Sequence, residues 1–209
     1  MNVFSIILRY IRGGYRLIKN GFVFFRFRIL LIMNNVKHGH ITSNGMPYIA
    51  VVPGGKCVFG DNLTMNNGLR FNPIGYPQPC TIVVTRNATL TIGENVGLSQ
   101  ASIICHHSIK IGDNVKIGGG VKIYDTNFHS LNPQIRRVHQ LDMELKKVLP
   151  VVIENDVFIG AGAVILPGVI IGANSIIGAG AVVAKSIPPN QIWGGNPARY
   201  IKDVPIDNL

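Results

Sequence analysis

The chain is predicted to be an all-β solenoid: a coil of short parallel strands with three sides per turn, carrying a protruding loop, an N-terminal amphipathic helix and a short C-terminal extension. Three observations predict it. An aliphatic residue recurs every six positions through the C-terminal part, turn-forming residues follow it at a fixed offset, and the period lapses once over a long polar stretch.

The period is carried by Ile153, Ile159, Ile165, Ile171, Ile177 and Val183. Two residues before each stand Val151, Val157, Ala163, Val169, Ser175 and Ala181, and three residues after come Asp156, Gly162, Gly168, Asn174, Gly180 and Ser186. A helix of 3.6 residues per turn cannot hold aliphatics on one face at intervals of six, whereas a short strand and a turn, repeated, can. Three such sides make a coil of about 18 residues. Ile153 then stacks on Ile171, Ile159 on Ile177 and Ile165 on Val183. Each buried aliphatic contributes about 1.5–3 kcal/mol. The same pattern is expected upstream at Ile92, Leu98 and Ile104, then Ile111, Ile117 and Ile123, with one extra residue bulging a corner between Ile104 and Ile111. Phe59-Gly60 and Met65 put the first coils near residue 50, and Pro73, Pro77 and Pro79 mark 71–84 as a loop. The domain is drawn at 34–203, with an excursion loop at 125–150 and a tail at 204–209.

Residues 1–33 are a basic N-terminal segment. Phe4, Ile7, Leu8, Ile11, Tyr15 and Ile18 recur at helical spacing beside a stripe of Arg9, Arg12, Arg16 and Lys19. The apolar run from Phe22 to Met33 is broken by Arg26 and Arg28 and is shorter than the roughly 20 residues that span a bilayer. Two readings stay open for this segment: a helix lying on an anionic membrane, and a cap over the open end of the solenoid. The chain carries a formal charge of +10. Its repetitive part is nearer balance and lacks interleaved aromatic and basic residues, so nucleic acid is not expected as a partner. Cys57, Cys80 and Cys105 are odd in number and far apart, which suggests neither a disulfide framework nor a zinc ribbon. A cytoplasmic protein is expected, with peripheral contact on the inner face of the cytoplasmic membrane as the companion expectation.

The hexapeptides Ile111-Gly112-Asp113-Asn114, Ile159-Gly160-Ala161-Gly162 and Ile177-Gly178-Ala179-Gly180 resemble those of the hexapeptide-repeat acyltransferases. The tail IPPNQIWGGNPARYI, from Ile187 to Ile201, is similar to the terminal signature of their galactoside, maltose and surface-polysaccharide O-acetyltransferase branch. The resemblance covers roughly residues 50–203. It implies a left-handed parallel β-helix, a homotrimer with sites between neighbouring prisms, and acetyl transfer from acetyl-CoA to a carbohydrate hydroxyl.

Between Ile123 and Ile153 the chain leaves the prism, and at the mouth of that loop stands Asp125-Thr126-Asn127-Phe128-His129-Ser130, which resembles the family's catalytic turn. A hydroxyl attacking a thioester needs a base for its proton, and neutral imidazole suits that task near pH 7. His129 is the candidate, with Asp125 as the carboxylate that orients it. Ser99 and Gln100 stand where the family often has an acyl-contacting asparagine, and Asn127, His106 and His139 are further candidates to meet the acceptor. By the same resemblance Ala161 and Ala179 offer backbone N–H groups to the pantetheine, Ala184 and Lys185 border it or the pyrophosphate, and Arg199 meets a nucleotide phosphate. No metal is expected: a zinc site like that of the gamma-class carbonic anhydrases needs a second histidine five residues away, and Tyr124 and Gln134 occupy those positions around His129. Two alternatives remain open: a serine, amino-sugar or antibiotic acetyltransferase on this scaffold, and a non-catalytic glycan-binding module.

Overall fold

The computed structural model describes residues 21–205. The amphipathic helix expected over residues 4–18 and the end of the tail lie outside the described residues.

The chain winds repeatedly through three parallel sheets, as expected of the left-handed β-helix. The first side runs from Lys37–His38 through Lys56–Phe59, Thr89–Ile92, Ser108–Ile111 and Val151–Ile153 to Ile170–Ile171. The second begins at Ile41–Asn44 and the third at Tyr48–Val51. The stacking follows the six-residue period: Ile153 pairs with Ile171, Ile159 with Ile177 and Ile165 with Val183. All six are almost completely buried. Burial of one column on another explains why no coil is stable alone.

The corners between the first and second sides hold asparagine or aspartate in the left-handed region, including Asn62, Asn95, Asn114, Asp156 and Asn174. Asparagine tolerates positive φ, and here the amides also bond coil to coil, as from Asn62 to Asn95 at 3.0 Å and from Asn95 to Asn114 at 3.2 Å. The next corner uses Gly120, Gly162 and Gly180 at positive φ.

Three upstream expectations need correction. The loop expected over 71–84 ends earlier, because Thr81–Val84 is a strand of the third side with Ile82 and Val84 buried in the core. Ile123 pairs with Ile103, not Ile104, and Ile103 is the residue buried in the core. The phase error is divided between two corners. Gln100, at φ 49°, turns a corner one residue shorter than usual, and His106 and His107 lengthen the next by two. Coiling also begins at Lys37–His38, earlier than expected. That first coil lacks a legible apolar period because Ile41 is only half-buried there and another element shares its covering.

That element is helix α1, described over residues 21–33. Its inner face puts Phe27 and Leu31 into the core of the prism, and Asn34 Oδ1 accepts the Val51 N–H at 2.8 Å. Among the described residues the helix therefore caps the apolar end of the solenoid. No helix among them is long and apolar enough to cross a membrane. At the other end, Arg199–Asp203 pairs antiparallel with Gln191–Gly194 and closes the second sheet.

Candidate active site

Asp125, Thr126, Ser130 and Asp142 are buried polar side chains, and all four belong to the excursion loop. The loop is a closed finger. Thr126 bridges Val148 in antiparallel fashion, the Asn127 N–H donates to Lys147 O at 3.1 Å and the Leu149 N–H to Asp125 O at 2.8 Å. Two short helices fill it, α2 at Pro133–Arg136 and α3 at His139–Leu145. Asn132 caps the first by accepting the Gln134 N–H.

His129 follows Phe128, which sits at φ 62°, and the Thr126 hydroxyl accepts the Phe128 N–H at 3.0 Å. This tight turn projects the imidazole outward, with its side chain 62% exposed. Nδ1 lies 2.7 Å from Oδ2 of Asp142, and the other carboxylate oxygen accepts the Ser130 N–H at 2.6 Å. The hydrogen bond from His129, then that from Ser130, hold the Asp142 carboxyl below its ordinary range, although burial opposes the shift. An ionised carboxylate only accepts, so Nδ1 carries a proton, and in the neutral tautomer this selects, Nε2 holds the lone pair. Arg136 braces the same turn by donating to Ser130 O at 2.8 Å.

Asp125 does not orient His129. Its carboxylate is wholly buried and accepts the backbone N–H groups of His106, His107 and Ser108 at 2.7, 2.7 and 2.8 Å. It staples the lengthened corner, whose extra amides would otherwise be unsatisfied. A separation of four residues brings side chains together on a helix, whereas here the chain is leaving a strand and Asp125 points into the prism. Cys105 lies 3.6 Å from the same carboxylate, and burial followed by that charge pushes its thiol up to about 12. Cys57 and Cys80 are likewise buried and unpaired.

The remaining candidates divide by position. His106 is half-buried, its ring edge-on to Phe128 at 5.9 Å, and burial lowers its pKa. His107 and His139 are exposed, and Asn127 is half-buried beside His129. Ser99 Oγ accepts from Asn66 at 3.3 Å. Gln100, expected to meet substrate, is wholly buried and faces no open surface. Its Nε2 donates to Asn72 O at 2.8 Å and Tyr76 O at 2.5 Å, which ties down the loop over residues 67–80. Among the described residues the Gln100 Oε1 has no hydrogen-bond partner.

Ala161 is half-buried and Ala179 exposed, both just after a corner glycine. A Cβ at Gly118 would fall 2.6 Å from Ala161 N, and one at Gly160 would fall 2.5 Å from Ala179 N, so the corner requires glycine. At the preceding corner the equivalent amides are satisfied by side chains: Glu94 N–H donates to Asp113, Asp113 N–H to Asn155 and Ala173 N–H to Glu154. The Ala161 and Ala179 amides meet no backbone acceptor among the described residues. They stand one coil apart at the same corner. Ala184, Lys185 and Arg199 are exposed toward the C-terminal end of the prism. No cluster of three or more metal-ligating side chains exists among the described residues.

Two family models match the chain, one described as bacterial transferase hexapeptide (six repeats) over residues 150–185 and one as hexapeptide repeat of succinyl-transferase over residues 89–125. The chain is also 32% identical over 152 residues to the putative lipopolysaccharide biosynthesis O-acetyl transferase WbbJ of Escherichia coli strain K12, a match covering 71% of this chain and 72% of that protein. The chain belongs to the hexapeptide-repeat transferases. The chain is also 39% identical over 118 residues to the galactoside O-acetyltransferase of Escherichia coli strain K12. That match covers 56% of this chain and 55% of the relative, so the chain spans about half the length of this curated relative. A solved galactoside acetyltransferase in complex with coenzyme A superposes with a TM-score of 0.50 at 26% identity, over 85% of this chain and 70% of that one.

Asp142 carries no signal in the sequence, because nothing in its neighbourhood repeats a motif. Only the return of the loop onto its own mouth makes it a partner of His129.

Proposed function

We propose that this hexapeptide-repeat protein transfers an acetyl group from acetyl-CoA to a carbohydrate hydroxyl, of a surface-polysaccharide precursor or a related glycoside. The observation that carries the proposal is the His129–Asp142 pair at the mouth of the excursion loop, with Nε2 unencumbered. Kinship with O-acetyltransferases, and the coenzyme A complex of one solved relative, support the chemistry and the cosubstrate.

In this scheme Nε2 of His129 takes the proton of the acceptor hydroxyl as its oxygen forms a bond to the thioester carbonyl carbon. The tetrahedral intermediate collapses with cleavage of the C–S bond, and the imidazolium returns the proton to the departing thiolate. Asp142 holds the productive tautomer and stabilises the transient imidazolium. Ala161 and Ala179 donate to the pantetheine, Ala184 and Lys185 flank it, and Arg199 meets a phosphate. Asn127, His106 and His139 border the acceptor, and Ser99 stands one coil earlier. Asp125 and Gln100 serve the scaffold instead.

The working form in this proposal is a homotrimer with three sites between adjacent prisms. The protein is placed in the cytoplasm, in peripheral contact with the inner face of the membrane. The outward face of α1 supports that contact, with Phe22, Phe25, Ile29, Ile32 and Met33 exposed beside Arg26 and Arg28. The test is acceptor-dependent release of free CoA from acetyl-CoA across a panel of oligosaccharides. Glycan binding without CoA release would instead identify a non-catalytic module.

A further inference from the structure

The loop over residues 67–80 stands where a corner of the prism would otherwise close within a few residues, between the strands Leu63–Asn66 and Thr81–Val84. Its neck is tied by the Cys80 N–H donating to Asn67 Oδ1 at 2.8 Å, and its middle by the two hydrogen bonds from Gln100. Thus fixed, it folds along the corner toward the later coils. Ile74 lies against Gly119, where an added Cβ would come within 2.5 Å of it. The ring of Tyr76 covers Gly120, and its hydroxyl reaches the next coil, 2.6 Å from where a Cβ on Gly162 would stand.

Exposure changes along this corner. Gly119 and Gly120 are buried beneath the loop, Ala161 and Gly162 are half-buried at its edge, and Ala179 and Gly180 are exposed. A Cβ added at Gly180 would meet nothing within 4 Å. The Tyr76 phenol therefore ends the covered stretch where the amides of Ala161 and Ala179 begin.

We infer that Tyr76 is the end wall of the acyl pocket and restricts the protein to short acyl groups. The inference rests on the placement of acetyl-CoA proposed above. With the phosphates at Lys185 and Arg199 and the pantetheine passing Ala179 and then Ala161, the thioester end points toward the Tyr76 phenol. Gly162, lacking a side chain, leaves room for the ring, and the ring leaves little room for further methylenes. The Gln100 amide sets how firmly the wall is held, since it fixes the Tyr76 carbonyl directly.

The test measures kcat/KM for acetyl-CoA and butyryl-CoA with one acceptor in the wild type, Tyr76→Phe, Tyr76→Leu and Tyr76→Ala. Direct binding of both thioesters is measured by calorimetry, and folding is checked by circular dichroism. The wild type and Tyr76→Phe should prefer acetyl-CoA. Shortening the side chain to Leu or Ala should raise the butyryl-to-acetyl ratio about tenfold or more, the usual value of accommodating extra methylenes in an apolar pocket. The Leu variant keeps apolar cover over Gly120, so it supplies the ratio if the Ala variant does not fold. An unchanged ratio in a folded variant whose parent uses acetyl-CoA overturns the wall while acetyl transfer stands. A wild type that neither binds nor turns over any CoA thioester overturns both.

Discussion

Replacing Asp142 by Asn separates orientation of the base from its presence. The amide occupies nearly the same volume, and its Oδ1 can still accept the Ser130 N–H that is now 2.6 Å from the carboxylate. Its Nδ2 faces Nδ1 of His129, where Oδ2 now stands at 2.7 Å. An amide donor there favours the proton on Nε2, the nitrogen required to accept one. The charge that stabilises the imidazolium is lost as well. Loss of that charge-assisted hydrogen bond alone should slow turnover roughly 10- to 150-fold, before the tautomer is counted. Turnover should therefore fall about 10²- to 10⁴-fold, with little change in KM for acetyl-CoA. Steady-state CoA release, with KM and kcat resolved, makes the measurement. The carboxyl is held below its ordinary range, so its contribution to stability is present above the unfolded pKa and is lost as pH falls through the folded one. Thermal melts from neutral pH down into the acid range should show that loss in the wild type and not in Asp142→Asn. Turnover of the variant close to that of the wild type would refute the orienting role.

Other substitutions test neighbouring assignments. Asp125→Ala strips three backbone amides of their acceptor and should cost about 3–5 kcal/mol of stability; chemical denaturation checks the magnitude, and CoA release per folded molecule should change far less than in Asp142→Asn. Gln100→Ala frees the carbonyls of Asn72 and Tyr76 and should cost about 1–3 kcal/mol. Limited proteolysis should then cut within residues 67–80, a site protected in the wild type.

The scaffold was legible because every coil repeats the same environment. Ile153 to Val183 keep step with six residues since each occupies an equivalent place on one of three sides, and the register follows directly. Legibility failed where the repeat is locally broken. The spacing points to Ile104 in place of Ile103 because Gln100 shortens one corner while His106 and His107 lengthen another, and only the net change shows in the sequence. The turn at His129 was visible as a motif, whereas its partner Asp142 was not, because that pairing depends on a finger folding back through α3. Asp125 looked suitable by proximity in the chain, yet three amides already engage it. Gly162 is legible as a turn-former from its offset to Ile159, but the second duty that it shares with Gly120, admitting Tyr76, involves a loop far away in sequence.

The central claim is that the exposed Nε2 of His129 removes the acceptor proton. Its most direct test compares wild type and His129→Ala for acetyl-CoA-dependent turnover and, separately, for CoA affinity by calorimetry. Turnover should fall by about 10²- to 10⁴-fold while CoA affinity stays as it was. Near-normal turnover in a folded His129→Ala protein would contradict the account.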